Sequence, residues 1–277
     1  HLAQRTGKLQ KFLFKPWIYS SWQSFQTKRY WNAPTLYKKQ LMNRFEFIIS
    51  LIGLPLLNLS NNEKFGAKIL IGKGNPNLVG KDHRLLPEVE KAYQNMERSA
   101  RVQGIKVKVV SSYRSYEKQK AIWNRKFNAF KKEGLDGLQI INKIIEYSTI
   151  PGTSRHHWGT EIDVIDSNPL AEGDVLLTEK FHDGGPYEKL RIWMDKNAQD
   201  FGFTRPYTLD KERSGFYYEP WHYSFSEISK PMLKSYLKLD IVELLKDDSL
   251  LGSEMLDEHL LNKYLKSHVL GIDPSLL

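Results

Sequence analysis

Apolar residues at Leu86, Val89, Tyr93, Met96 and Ala100 recur at intervals of three and four, the period of an amphipathic helix that Gly104 can close. The run Ile105-Lys-Val-Lys-Val-Val110 then switches to alternation and predicts a strand. Further helices are predicted from about Tyr116 to Lys132, with Gly134 beyond the end, and from about Leu138 to Tyr147. Another is outlined by Tyr187, Leu190, Met194, Ala198 and Phe201 and ends at Gly202. Two more stretches read as strands: β-branched Thr160-Glu-Ile-Asp-Val-Ile165, and the aromatic run Phe216 to Phe225. From Ser226 onward the pattern is helical again. Helices gathered before and between a few separated strands predict an α+β fold. Its small antiparallel sheet is flanked by helices, with a helical C-terminal extension over residues 226–277.

The N-terminal part differs in kind. Residues 1–41 hold eight Lys or Arg and no acid, so of the net charge of +9 only +1 belongs to the rest of the chain. This basic, aromatic segment is read as upstream or non-native sequence outside the functional unit, and no nucleic-acid partner is expected. Met42-Asn-Arg44 and the uncharged run Phe47–Leu57 follow, with the n- and h-regions of an export signal. Eleven uncharged residues fall short of the roughly 20 that cross a bilayer, so no stable membrane span is expected. Residues 42–63 are thus a signal-like apolar segment and linker, 64–225 the folded domain, and the expected location is the periplasm or cell envelope. Cysteine is absent, which excludes disulfides and Cys-ligated zinc. Oligomeric state is not legible.

The chemistry concentrates in Pro151-Gly-Thr-Ser-Arg-His156-His-Trp-Gly159-Thr-Glu-Ile-Asp163 and in Glu219-Pro-Trp-His222. A catalytic zinc needs three His or carboxylate ligands and an open position for water. His156, Asp163 and His222 meet that count, with a turn at Gly159 returning Asp163 toward His156. Residues three apart on a regular strand face opposite ways, so Glu219 and His222 share a site only if the chain bends between them. Pro220 supplies a bend, and Glu219 is then the candidate general base. His157 reads as packing or support. Upstream, Arg114 ends a strand and Gln119 stands five residues on in the next helix, a pair that can converge on one anion such as a peptide C-terminus.

Together, Ser111-Ser-Tyr-Arg-Ser-Tyr with Gln119, Ser154-Arg-His156-His-Trp-Gly159-Thr-Glu-Ile-Asp163 and Glu219-Pro-Trp-His222 resemble the VanY-type D-alanyl-D-alanine carboxypeptidases. These belong to the wider LAS group of peptidoglycan zinc peptidases, whose pattern is SxHxxGxAxD followed by ExxH. The resemblance covers roughly residues 64–225. It implies Zn2+ on His156, Asp163 and His222, Glu219 as catalytic base, and Arg114, helped by Gln119 and Ser154, on the terminal carboxylate of a peptidoglycan stem peptide. One departure stands out. Glu161 occupies a position where the general pattern has a small residue, and alternation places it on the same side of the strand as Asp163, bringing an extra negative charge toward the metal. The function this implies is removal of the C-terminal D-alanine. L,D-carboxypeptidase or endopeptidase activity of the same group is the alternative. A non-catalytic zinc-containing wall-binding module is the rival of another class, and the intact Glu219 argues against it.

Overall fold

The computed structural model describes residues 65–277. The basic segment 1–41 and the signal-like segment 42–63 lie outside the described residues. A short helix α1 (Ala67–Leu70) is followed by α2 (Pro87–Val102), with Pro87 at its first turn where a missing N–H costs nothing. Strand β1 (Val107–Ser111) leads into α3 (Tyr116–Lys132), whose N-cap Ser115 accepts a hydrogen bond from the Lys118 N–H. Asp136 and Gln139 then form a capping box at the start of α4 (Gly137–Ile145). A single 3-10 turn, Arg155–Trp158, ends at Gly159 with a φ of 71° and enters β2 (Glu161–Asp166). Helix α5 (Glu188–Asn197) runs through the 3-10 turn Ala198–Phe201 to Gly202 and the two-residue strand β3 (Phe203–Thr204). Strand β4 (His222–Phe225) passes directly into α6 (Ser226–Tyr236). The tail holds α7 (Ile241–Leu244), α8 (Glu258–Tyr264) and a π-turn, Leu265–Val269.

The four strands make one antiparallel sheet in the order β1-β2-β4-β3. One face carries Ile162, Val164, Tyr223 and Phe225 into a cluster with Val89, Met96, Leu190 and Trp193 of α2 and α5. The alternate residues of β2 and β4 (Glu161, Asp163, His222 and Ser224) therefore share the other face. All six β2 residues are buried, so this second face is covered too. A second apolar cluster joins Tyr116 and Trp123 of α3 and Trp158 to Tyr207, Tyr236, Leu245 and Tyr264. The C-terminal extension is thus built into the same core as the loop that bears His156.

One stretch differs from the sequence expectation. The aromatic run Phe216–Phe225 is a strand only from His222, because its first half turns: the Glu219 N–H donates to Tyr207 C=O at 3.1 Å and the His222 N–H closes back on Glu219 C=O at 3.3 Å. Pro220, without an N–H, sits inside that turn as anticipated. The helical extension expected from Ser226 onward is present as several helices, restarted by the N-cap side chains of Asp240 and Asp257. No helix of the described residues is long and apolar enough to cross a membrane.

Candidate metal centre

Register builds the site. Asp163 on β2 stands directly opposite His222 on β4, and Ser111 on β1 stands opposite Asp163 across an irregularity between Val109 and Ser111. Directly opposed residues hold their Cβ atoms about 4.5–5.5 Å apart, which brings a carboxylate and an imidazole together. The 3-10 turn after Ser154 adds His156, whose ring centroid lies 4.8 Å from that of His222. One donor atom from each of His156, Asp163 and His222 lies within 4.8 Å of the others, and all three residues are buried. His156 Nε2 is 3.4 Å from Asp163 Oδ2, and His222 Nδ1 is 3.3 Å from Asp163 Oδ1.

The remaining ring nitrogens are held from behind. His156 Nδ1 donates to the Ser112 carbonyl at 2.7 Å, and His222 Nε2 donates to Glu161 Oε2 at 2.8 Å. Such outer partners fix the tautomer so that the inner nitrogen presents its lone pair. Asp163 Oδ1 is buried without a hydrogen-bond partner, although His222 Nδ1 lies 3.3 Å from it. A carboxylate oxygen left bare in a protein interior costs free energy unless something positive meets it. Two inward imidazole nitrogens and a bare carboxylate oxygen are the donor set of a divalent site with an open position, so the residues fit a metal.

Glu219, from the turn before β4, reaches the same spot, with Oε2 at 3.2 Å from His222 Nδ1. Burial would lower the His222 pKa, but Asp163, Glu161 and Glu219 surround the ring and raise it to about 10, so the surroundings favour a positive charge at the inward nitrogen, a proton or the metal ion that displaces it. Burial likewise disfavours charge on Asp163, yet the His156 and His222 imidazoles and Arg114 hold its carboxyl well below the usual range. The edge of the Tyr207 ring packs on His222 with centroids 5.0 Å apart.

Arg114 lies in the loop between β1 and α3 and donates to Gln119 Oε1 at 2.7 Å and to Ser111 Oγ at 3.2 Å. Gln119 is fully buried, and its Nε2 donates to Thr149 C=O at 2.8 Å. Both atoms of its amide are therefore engaged inside the protein. Ser154 is buried immediately before the His156 turn, and its backbone carbonyl accepts from the His157 N–H. His157 turns away from the cluster: Nδ1 donates to Arg114 C=O at 2.5 Å, and Nε2 accepts from the Gly152 N–H at 3.0 Å. Burial pushes its pKa down to about 3, so it is a neutral tie between the arginine loop and the histidine loop.

Glu161 faces the side that alternation predicts but does not sit beside the ligand atoms. The His222 ring stands between it and Asp163, and its charge is met by Arg155, 3.3 Å away. Burial would raise the Glu161 pKa, but Arg155 and the His222 and Ser224 hydrogen bonds outweigh it and lower it to about 2. Sequence reasoning missed Arg155, Ser112 and Tyr207. Only Arg155 left a signal, as a cation six residues before Glu161.

The profile of the family described as VanY, D-alanyl-D-alanine carboxypeptidase, matches residues 82–228. A D-alanyl-D-alanine carboxypeptidase of Enterococcus faecalis is 30% identical over 186 residues, 67% of this chain and 57% of that protein. This chain therefore spans little more than half the length of that relative. A variant of the vancomycin resistance D,D-pentapeptidase VanY, solved in complex with Zn(II), is 28% identical with a TM-score of 0.44, covering 58% of this chain and 82% of its own. The LdcB LD-carboxypeptidase is 26% identical with a TM-score of 0.42, covering 53% and 62% respectively. The matched residues take in the arginine loop, the histidine turn and all of β4, and on that match the chain belongs to the VanY family of D-alanyl-D-alanine carboxypeptidases.

Proposed function

We propose that this protein is a zinc-dependent D,D-carboxypeptidase that removes the terminal D-alanine from peptidoglycan stem peptides. The observation that carries the reading is the meeting of Glu219 with the His156, Asp163 and His222 donors at one buried spot, with Arg114 held close by. Zinc held by those donors supplies Lewis acidity toward a scissile carbonyl and lowers the pKa of water. Glu219 accepts the proton of the attacking water and delivers it to the leaving amine, as a carboxylate within hydrogen-bond reach can. Its own chain sets that reach, since the turn at Pro220 aims it at the ligands rather than away from them.

Arg114 selects for a free C-terminus. Two bonds to Gln119 and Ser111 fix its plane and leave the other N–H donors of the guanidinium for a carboxylate. Gln119 thus contributes through Arg114, and Ser154 contributes by opening the turn that carries His156. The test is mass spectrometry of products from a pentapeptide ending D-Ala-D-Ala, its tetrapeptide and a cross-linked dimer. Loss of one D-alanine from the pentapeptide alone supports the proposal. Cleavage of the tetrapeptide or the dimer instead moves the enzyme to L,D-carboxypeptidase or endopeptidase activity, and no cleavage with zinc bound favours a binding module.

A further inference from the structure

We propose that Glu161 is a positioning residue of the metal centre: anchored on Arg155, its carboxylate holds the His222 ring by Nε2–H so that Nδ1 faces Asp163 and His156. The inference rests on the metal-centre reading above. In the register of β2 and β4, Glu161 stands opposite Ser224 and Asp163 opposite His222, which puts Glu161 diagonal to His222 on the same face. The diagonal contact is made, with Glu161 Oε2 at 2.8 Å from His222 Nε2. The other carboxylate oxygen, Oε1, accepts from Ser224 Oγ at 2.8 Å, from Thr160 Oγ1 at 2.9 Å and from Arg155 at 3.3 Å. Ser224 Oγ in turn accepts from Arg155 at 2.6 Å and, its own proton being given to Glu161, from Ser229 Oγ at 2.7 Å. Every direction in which Glu161 could swing is therefore tied.

The arrangement is costly for a purely structural device. Glu161 is 0% and Arg155 4% exposed, and Arg155 leaves Nε and Nη1 buried without partners, its plane lying over the Trp158 ring at 4.9 Å. Buried ion pairs of this kind commonly stabilise no more than a well-packed apolar substitute. What an apolar residue cannot do is accept the His222 Nε2–H. A carboxylate there also makes the imidazole a stronger donor, which is how outer partners tune a bound ion. The two histidines are consequently unequal: His156 leans on a neutral backbone carbonyl, His222 on a charged carboxylate. The small residue that the general LAS pattern has at this position would leave His222 without that partner.

The experiment measures zinc affinity by chelator competition for the wild type, Glu161→Ala, Glu161→Gln and Ser224→Ala, with folding checked by circular dichroism. Losing an outer-shell partner weakens metal affinity about 10–100-fold. That loss is expected for Glu161→Ala and a smaller one for Glu161→Gln, whose amide oxygen still accepts the Nε2–H without the charge, while Ser224→Ala, which keeps the carboxylate, stays close to wild type. At saturating zinc, KM for a pentapeptide is unchanged, because Glu161 touches no substrate. A folded Glu161→Ala with wild-type zinc affinity overturns the proposal. If the variants do not fold, long-range 15N NMR of the zinc-loaded wild type decides it: Nδ1 metal-bound with a protonated Nε2 is required, and the reverse tautomer refutes it. A wild type that binds no zinc defeats the metal-centre reading itself, which separates the two failures.

Discussion

Gly72 lies against the imidazole that joins the two halves of the site. Its φ is +76°, a region that costs other residues roughly 1–2 kcal/mol, and a Cβ there would fall 2.4 Å from His157 Nδ1. Gly72→Ala must therefore displace His157, and with it the tie between Arg114 and Gly152. The expected outcome is a loss of at least about 2 kcal/mol of stability by chemical denaturation, with weaker catalysis in the folded fraction. Arg114→Ala should raise KM and lower kcat for free-ended peptides, and the preference over C-terminally amidated peptides should collapse. An unchanged preference would remove Arg114 from carboxylate recognition. At this scale the sequence was informative wherever spacing constrained geometry: His156, Asp163, His222 and Glu219 were readable because a turn, a strand and a proline fix where they point. Ser112 was not, since it contributes only a backbone carbonyl, and neither was Tyr207, which arrives from a distant loop. Glu161 was half-legible, because alternation fixes the face of a strand but not which side of a neighbouring ring a long side chain takes.

At the scale of elements, the histidine turn is held by the tail. Tyr264 Oη accepts from the Ile150 N–H at 3.3 Å and contacts Thr153 Oγ1 at 3.1 Å, while Tyr236 Oη donates to Gly152 C=O at 3.0 Å. Both tyrosines are buried. Tyr264→Phe leaves a buried amide and hydroxyl short of a partner, which costs about 1–3 kcal/mol. Thermal denaturation should register that as a lower midpoint, and an unchanged midpoint would show that the tail is not bearing on the loop. The regular helices were legible, α3 to the residue, because apolar period and caps agree. The bent half of the Phe216–Phe225 run was not, because aromatic residues packing inward from a turn resemble those of a strand. The two-residue β3 was equally unreadable, being too short to establish any period.

Across the whole molecule, α3 and the tail are stitched by polar contacts as well as by the shared core. Asp247 accepts from Tyr116 Oη at 2.9 Å and from Lys120 at 3.2 Å, and Trp123 Nε1 donates to Leu251 C=O at 2.9 Å. Burial would raise the Asp247 pKa, but the Ser249, Tyr116 and Lys120 hydrogen bonds hold it well below its ordinary 3.8. A depressed carboxyl stabilises the fold fully above its unfolded pKa and loses that contribution as pH falls from there through the folded value. Asp247→Asn should therefore flatten the fall in stability below 3.8, measured as urea midpoints at successive acid pH values. An acid limb as steep as that of the wild type would contradict the link. Whether the buried His156, Asp163, His222 and Glu219 cluster is a zinc carboxypeptidase centre is decided by titrating zinc into stripped protein while D-alanine release from a pentapeptide stem is followed. Release should rise to a plateau at one zinc per chain, and Glu219→Ala should bind the same zinc and release nothing. Release by the stripped protein, or a zinc-bound wild type that releases nothing, would contradict the account.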